Sequence, residues 1–360
     1  MRWLLLILLL LAPALPARAE RVVNVYNWTD YIDPAALERF TAETGIKVRY
    51  DVFDSLETLE AKLLAGHSGY DVVVPSNEPS FSRLIRAGAL TPIDRGKVGN
   101  WKNLDAGLMK RVESSDPGNR FGAIYSFGTI GLGIAPDRIQ TLAPDAPLDS
   151  WALLFRPENA KRLAPCAITM MDSAIDVIPS VLKYLGKSPD STDAGDLAAV
   201  EQTLMAIRPY IRTFSSSGTL EALASGKTCL ALDYSGDVIQ AAARAHEAKQ
   251  AVTIRYVAPK EGAEIGFDML AIPADAPNKD EAHAFIDFVL RPEVMAGITN
   301  LVRYPNAIPA SRTMIRPELL ADTNVFPTEA QRDGFFTIGP VPQAAERART
   351  RLWARFKAGK

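Results

Sequence analysis

Histidine is almost missing from this 360-residue chain. The three present, His67, His246 and His283, lie far apart with no metal-ligand spacing, so each reads as a surface or helix residue. The usual enzyme signatures are missing as well. There is no G-x-S-x-G elbow and no P-loop, and Gly128, Gly131 and Gly133 stand in the wrong order for a dinucleotide site. Ser180-Val181-Leu182-Lys183 matches the S-x-x-K of serine β-lactamases, but Lys227-Thr228 is followed by Cys229 where that chemistry needs glycine. A hydrolase would need a base that the chain does not visibly supply. Neither sign of charge is in excess: 40 lysines and arginines face 42 acidic residues, a balance that argues against nucleic acid as a partner. After residue 19 no apolar run approaches the roughly 20 residues of a membrane span.

The first nineteen residues are different. Arg2 is a short positive region, Leu4 to Leu11 an apolar core, and Ala17-Arg18-Ala19 a small-residue cleavage site, the pattern of a secretory leader. An anchoring helix is the other reading, but the apolar run is short and is broken by Pro13 and Pro16. Without Arg2 and Arg18 the mature chain carries 38 basic residues against 42 acidic, near −4, and no cysteine follows the cleavage site to take a lipid. These features predict an exported, soluble protein of 341 residues, long enough for about two domains of 100–200 residues. Export also bears on Cys166 and Cys229, because an even count in an oxidising compartment favours one disulfide over two buried free thiols.

The mature chain opens with the clearest pattern. Arg21 to Tyr26 reads as a strand; Asp33 caps a helix opened by Pro34 and ended by Gly45; Val48 to Phe53 is a second strand. Ser55 caps a helix with Leu56, Leu59, Leu63 and Leu64 at helical spacing, closed by Gly66, and Asp71 to Pro75 is a third strand without polar alternation. A β-α-β-α-β order with such a buried-type strand suits a parallel sheet covered by helices on both faces. Trp101 to Met109 reads as loop and short helix. Further strands are expected at Ala123 to Tyr125 and Gly131 to Ile134, joined by a glycine-rich link, and at Cys229 to Tyr234, Ile254 to Ala258 and Met269 to Ile272. Helices are expected at Asp176 to Leu185, Leu197 to Ile207, Gly236 to Lys249 and Lys279 to Leu290, with another beginning at Pro292. There is no internal repeat and no low-complexity linker, so two α/β lobes would have to exchange the chain more than once.

Ligands of open parallel sheets bind beyond the carboxyl ends of the strands. After the first strand comes Asn27-Trp28-Thr29-Asp30-Tyr31, a carboxylate between two aromatic rings; after the third comes Pro75-Ser76-Asn77. Tyr234-Ser235-Gly236-Asp237 repeats the grouping at a strand end that opens a helix, Gly266-Phe267-Asp268 precedes another strand, and Tyr304 lies in a loop ending at Pro305. Each has a plainer reading: a turn with a packed tryptophan, or an early helix residue favoured by the helix dipole. Together they are the chemistry of an organic-cation site, in which carboxylates take ammonium groups and ring faces hold the methylene chain.

At these residues the chain resembles the periplasmic putrescine/spermidine-binding proteins that serve ABC transporters. The likeness runs from about Val22 to Lys360 and is dense at Tyr26 to Ile32, Thr44 to Val48, Tyr50 to Ser55 and Asp71 to Ser76. It returns at Gly236-Asp237-Val238, Pro259 to Ala263, Leu290-Arg291-Pro292 and Arg349 to Trp353. The resemblance implies an α/β, two-lobed periplasmic binding protein fold of the type II kind, with a hinge and a ligand-binding cleft. Its lobes would be residues 20–131 with 259–312, and 132–258 with 313–360. It further implies Trp28 and Tyr31 as ring walls, Asp30 near one amine, Thr29 and Ser76 as polar contacts, Asp176 at a position that is usually Glu, and Tyr234 where Trp is common. Asp237, Asp268 and Tyr304 match directly, and Cys166 and Cys229 fall where some relatives carry a disulfide. Gly266 departs from the pattern: relatives usually present Phe or Trp there.

The expectation is therefore a monomeric periplasmic receptor for a polyamine, without cofactor, metal or chemistry on the ligand. It would deliver to the permease of an ABC importer and would not insert in the membrane after leader cleavage. The four acids Asp30, Asp176, Asp237 and Asp268 exceed the charge of a diamine and keep tri-cations in play. The alternatives are a receptor for another amine or guanidinium compound, such as agmatine, cadaverine or a bulkier cation, and, from a different class, an enzyme on a similar two-lobed scaffold.

Overall fold

In the computed structural model, which describes residues 20–339 and 341–359, the local signals near the start of the mature chain are realised directly. The stretch expected to be a leader, Met1 to Ala19, lies outside the described residues. Asp33 accepts from the Ala35 amide at the head of the helix Pro34–Thr44, and Gly45 stops it with φ +67°, a conformation that costs a glycine little. Ser55 accepts from the Thr58 amide and caps the helix Leu56–Leu64. Two strands flank the first helix, β1 (Val22–Trp28) and β2 (Lys47–Phe53), paired in parallel from Val22↔Lys47 to Trp28↔Phe53. On the other side β1 pairs with β3, which is shorter than expected, Val72–Val73 alone. The preceding Asp71 carboxylate is spent on structure instead, accepting from the Asn24 amide at 2.7 Å and the Asn278 amide at 2.6 Å.

The remaining strands are β4 (Leu90–Thr91), β5 (Gly122–Ile134), β6 (Ile168–Met170), β7 (Thr213–Phe214), β8 (Leu230–Tyr234), β9 (Arg255–Val257) and β10 (Glu264–Pro273). They form one mixed sheet in the order β2-β1-β3-β10-β5-β8-β6-β7, with β4 beside β10 and β9 beside β5. Two departures from the sequence reading concern its centre. The pair of strands expected around a glycine-rich link is a single strand of 13 residues, β5, and β10 starts five residues earlier than Met269. Glycine carries no side-chain periodicity, so Gly128, Gly131 and Gly133 read as a link, whereas here they let neighbours approach. A Cβ on Gly131 would run into the Val257 carbonyl and Tyr256, and one on Gly133 would stand 2.8 Å from Val238.

Apolar packing divides the molecule into two lobes that share this sheet. Alternate residues of β1 face opposite sides: Val23 and Val25 join Phe40, Tyr125, Phe285 and Phe288 in one layer, and Tyr26 joins Phe53, Leu63, Phe81 and Phe267 in the other. A separate core gathers Trp151, Phe155, Val177, Leu204 and Leu232, closed by Trp353 and Phe356 of the helix Gln343–Ala358. Each fully buried ring or branched side chain contributes roughly 1.5–3 kcal/mol relative to exposure. β5, antiparallel to β10 from Glu264↔Ile130 to Ala271↔Gly122, runs through both regions, with Tyr125 and Phe127 in the first and Ile130, Leu132 and Ile134 in the second. A smaller cluster, Ile315, Leu319 and Val325, packs on Ala296 with Ile239 against it.

Cys166 and Cys229 form a disulfide with a Cα–Cα distance of 5.5 Å. Each cysteine stands next to the entry of one of two neighbouring parallel strands, β6 and β8, whose first pair is Ile168↔Leu230. The bond spans 63 residues, for which loop-closure entropy gives about 4 kcal/mol at most. Thiol titration of the denatured, unreduced mature protein is expected to find no free thiol, and two titratable thiols per chain would contradict the bond. Ser180 and His283 take structural places. Ser180 Oγ donates to the Asp176 carbonyl at 3.0 Å inside its helix, and His283 Nε2 accepts from the Asp94 amide at 2.9 Å. Among the described residues no helix is long and apolar enough to cross a membrane, and no cluster of three or more His, Cys, Asp or Glu side chains could hold a metal ion.

Candidate functional site

Where the two lobes face one another, the ends of β1, β8 and β10 and the loop before Pro305 surround a cavity of about 950 Å³ open to solvent. All eleven residues singled out as a binding set, from Trp28 through Tyr304, line it. The β1 loop is fixed first. Thr29 donates to the Phe53 carbonyl through its amide at 3.0 Å and its hydroxyl at 3.2 Å, which seats the Trp28 ring 4.6 Å from Phe53 and edge-on to Tyr234 at 6.0 Å. The Tyr31 carbonyl accepts from the buried Tyr125 hydroxyl, aiming the Tyr31 ring inward, edge-on to Tyr304 at 4.8 Å.

Three carboxylates in the cavity share one device, a tyrosine hydroxyl as donor. Tyr31 Oη donates to Asp268 at 2.6 Å, Tyr234 Oη to Asp176 at 3.0 Å and Tyr304 Oη to Asp237 at 3.0 Å. Ser76 Oγ adds a second donor to Asp268 at 2.6 Å, held there by a bridge between Ser76 and Asp268 beside a bulge in β10. Asp176 and Asp237 lie in the first turns of the helices Ala174–Tyr184 and Ser235–Glu247, where the dipole favours an anion. Hydroxyl donors stabilise the ionised carboxyls, yet burial outweighs them. It pushes Asp237 up to about 7 and Asp268 up to about 6, and raises Asp176 as well. These are negative groups removed from water, with only the Arg244 charge acting in favour of Asp237 and, among the described residues, no basic group acting on the other two, a costly state that a bound cation relieves.

Among the described residues the lining contains seven acidic side chains and no lysine, arginine or histidine. Asp30 behaves differently from the other acids. Its backbone is left-handed, φ +55°, its side chain is 46% exposed, and it pairs with Arg244 Nη2 at 3.2 Å across from the other lobe. Tyr304 depends on two glycines that carried no assigned role in the sequence reading. A Cβ on Gly128 would stand 2.8 Å from its ring, and one on Gly236 would overlap the opposite edge. Gly266 has no such duty: its backbone is ordinary strand, and an added Cβ there would meet nothing within 4 Å. The glycine therefore leaves open space in the wall rather than serving a special backbone angle.

Sequence reasoning passed over Phe53, Asp54, Glu78 and Glu264 and placed Asn77 in a strand-end segment without including it in the binding set; all five also line the cavity. Asn77 shapes it, accepting from the Phe267 amide at 3.0 Å. Glu264 and Gly266 stand two residues apart on β10, so the period-2 rule would have put them on one face had the strand been started at its true beginning.

Comparison with known proteins shows the family of the chain. The profile of the bacterial extracellular solute-binding proteins matches residues 35–327. A putrescine-binding periplasmic protein of Pseudomonas aeruginosa is 47% identical over 345 residues, covering 96% of this chain and 94% of its own. A putrescine-binding periplasmic protein of Escherichia coli is 43% identical, covering 96% and 93%. In three dimensions the chain is similar to the spermidine/putrescine ABC transporter substrate-binding protein of Streptococcus pneumoniae, with a TM-score of 0.75, 27% identity and coverage of 94% and 99%.

Proposed function

Because the chain belongs to the bacterial extracellular solute-binding proteins, we propose that it is a periplasmic receptor for polyamines that delivers them to the permease of an ABC importer. The observation that carries the reading is the cavity lined by acidic groups and aromatic rings with, among the described residues, no basic side chain. An ammonium group placed between Asp237 and Asp268 gains charge-assisted hydrogen bonds, while the ring faces of Trp28, Tyr31, Tyr234 and Tyr304 cover the methylenes. Thr29, Ser76 and Asp176 complete the polar contacts, and Asp30, engaged with Arg244, closes the rim over the ligand. The relatives named above are binding proteins, which supports capture without chemistry and a periplasmic location.

The lobes of this reading are residues 20–131 with 259–312 and residues 132–258 with 313–360, acting as a monomer. β5, which passes through both packing regions, is then the hinge together with its partner β10, and ligand favours the closed form because only there do both lobes touch it. A thermal-shift panel of putrescine, cadaverine, agmatine, spermidine and spermine tests the function. An amine present at 100 times its dissociation constant stabilises the fold by about 2.7 kcal/mol, so at least one should raise the melting temperature clearly. No shift with any of the five, at millimolar concentration, would overturn the reading.

A further inference from the structure

Glu264 is the cavity's unexplained acid. It is 4% exposed, its Oε2 atom has no hydrogen-bond partner, and it lines the same cavity as Asp268. The charged groups that act on it are Asp176 and Asp190, which repel its charge, and Arg349, which attracts it. Arg349 Nη2 donates to the Pro189 and Ser191 carbonyls at 3.0 and 2.9 Å, and its buried Nε, like Glu264 Oε2, makes no hydrogen bond among the described residues, so the arginine acts on Glu264 through its charge alone. Burial pushes the Glu264 carboxyl far above its ordinary range. An acid kept in this condition is unfavourable for the empty protein and needs a reason.

Position supplies one. Glu264, Gly266 and Asp268 follow each other at two-residue steps along β10, and the middle residue leaves the wall open between the two acids. Four residues of strand separate their Cα atoms by about 13–14 Å. An extended chain advances about 1.25 Å per bond, so a four-carbon diamine, five bonds from nitrogen to nitrogen, spans about 6 Å, whereas a triamine with three more methylenes and one more nitrogen, nine bonds, spans about 11 Å, and a hydrogen bond of about 2.8 Å at each end lets the longer chain bridge the two acids. We infer that Glu264 binds the far ammonium group of a linear triamine laid along β10 through the space left by Gly266, with Asp268 at the near end. This rests on the polyamine-receptor reading and names the longer cation as the ligand class that the site is built to favour.

The test is titration calorimetry of the mature full chain with spermidine and putrescine, comparing wild type, Glu264→Gln, Gly266→Phe and Asp268→Asn. The inference expects Glu264→Gln to lower the preference for spermidine over putrescine at least tenfold while leaving the melting temperature of the amine-free protein equal or higher, since a buried orphan acid has been removed. Gly266→Phe should shift the preference in the same direction by filling the passage. An unchanged preference in both variants, with Asp268→Asn still weakening both amines, overturns the role of Glu264 and leaves the receptor reading standing. A Glu264→Gln protein that melts lower or does not fold marks the acid as structural and also overturns it. Wild-type protein that binds neither amine overturns the inference, and if it also gives no thermal shift with any of the five amines it overturns the receptor reading itself.

Discussion

Asp268→Asn is expected to weaken putrescine binding by about 2–5 kcal/mol, which is roughly thirtyfold to several thousandfold in dissociation constant. The size follows from how the carboxylate is held. Both of its oxygens already accept hydroxyl hydrogens, from Tyr31 and Ser76, each at 2.6 Å, so the group cannot turn away from the cavity. Asparagine keeps the shape and can still accept one hydroxyl while its amide donates to the other. What it removes is the charge, and an ammonium group that leaves water then meets a dipole instead of an anion. Because the acid is buried and strained toward its neutral form, the amine-free variant should melt no lower than the parent. Calorimetry at pH 8 separates the two effects; a variant that binds putrescine as tightly as the parent would remove Asp268 from the ammonium site.

Acidification is expected to produce an effect at least as large, with opposite signs in the empty and the loaded protein. Asp237 at about 7 and Asp268 at about 6 hold protons in the fold at pH values where an unfolded carboxyl, near 4, has lost them. The empty protein thus binds more protons than the unfolded chain between about pH 4 and 7. Its stability from these groups is present below pH 4 and lost as pH rises through 6 to 7. Amine binding runs the other way, since an ammonium group needs both carboxyls ionised and must displace their protons. Each pH unit below a carboxyl's pKa costs about tenfold in affinity, so between pH 8 and pH 5 the two groups together should weaken binding roughly a thousandfold. Calorimetry at pH 6 in buffers of different ionisation heat should detect proton release on binding. Constant affinity over that range, with no protons released, would contradict the assignment.

The parts of the fold that could be read in the sequence are those whose cause is local. Asp33, Pro34 and Gly45 bound one helix, and Ser55 caps the next, because capping is settled within a turn of chain. The central strands were less legible for a physical reason. β5 is paired along its length with β10, β8 and β9, and those partners decide that a segment with three glycines stays extended. At the site, residue types pointed to cation chemistry, and the resemblance to a family selected the eleven positions that the cavity brings together. Pairings between distant segments left no such trace. Nothing near Asp30 in the chain announces Arg244, and nothing near Glu264 announces that its carboxylate is orphaned.

The ring of Tyr304 sits with one edge over Gly128, on β5, and the other over Gly236, at the head of a helix, and its hydroxyl reaches Asp237. This three-point seat makes the positions interdependent over the protein's history. No replacement at Gly236 fits while the ring stays in place, phenylalanine for the tyrosine leaves Asp237 without its donor, and a small residue there also leaves both glycines facing a void. Drift at this corner of the cavity therefore proceeds by joint changes or not at all, and the pocket explores new ligands most readily at its other side, around Gly266, where an added side chain meets open space.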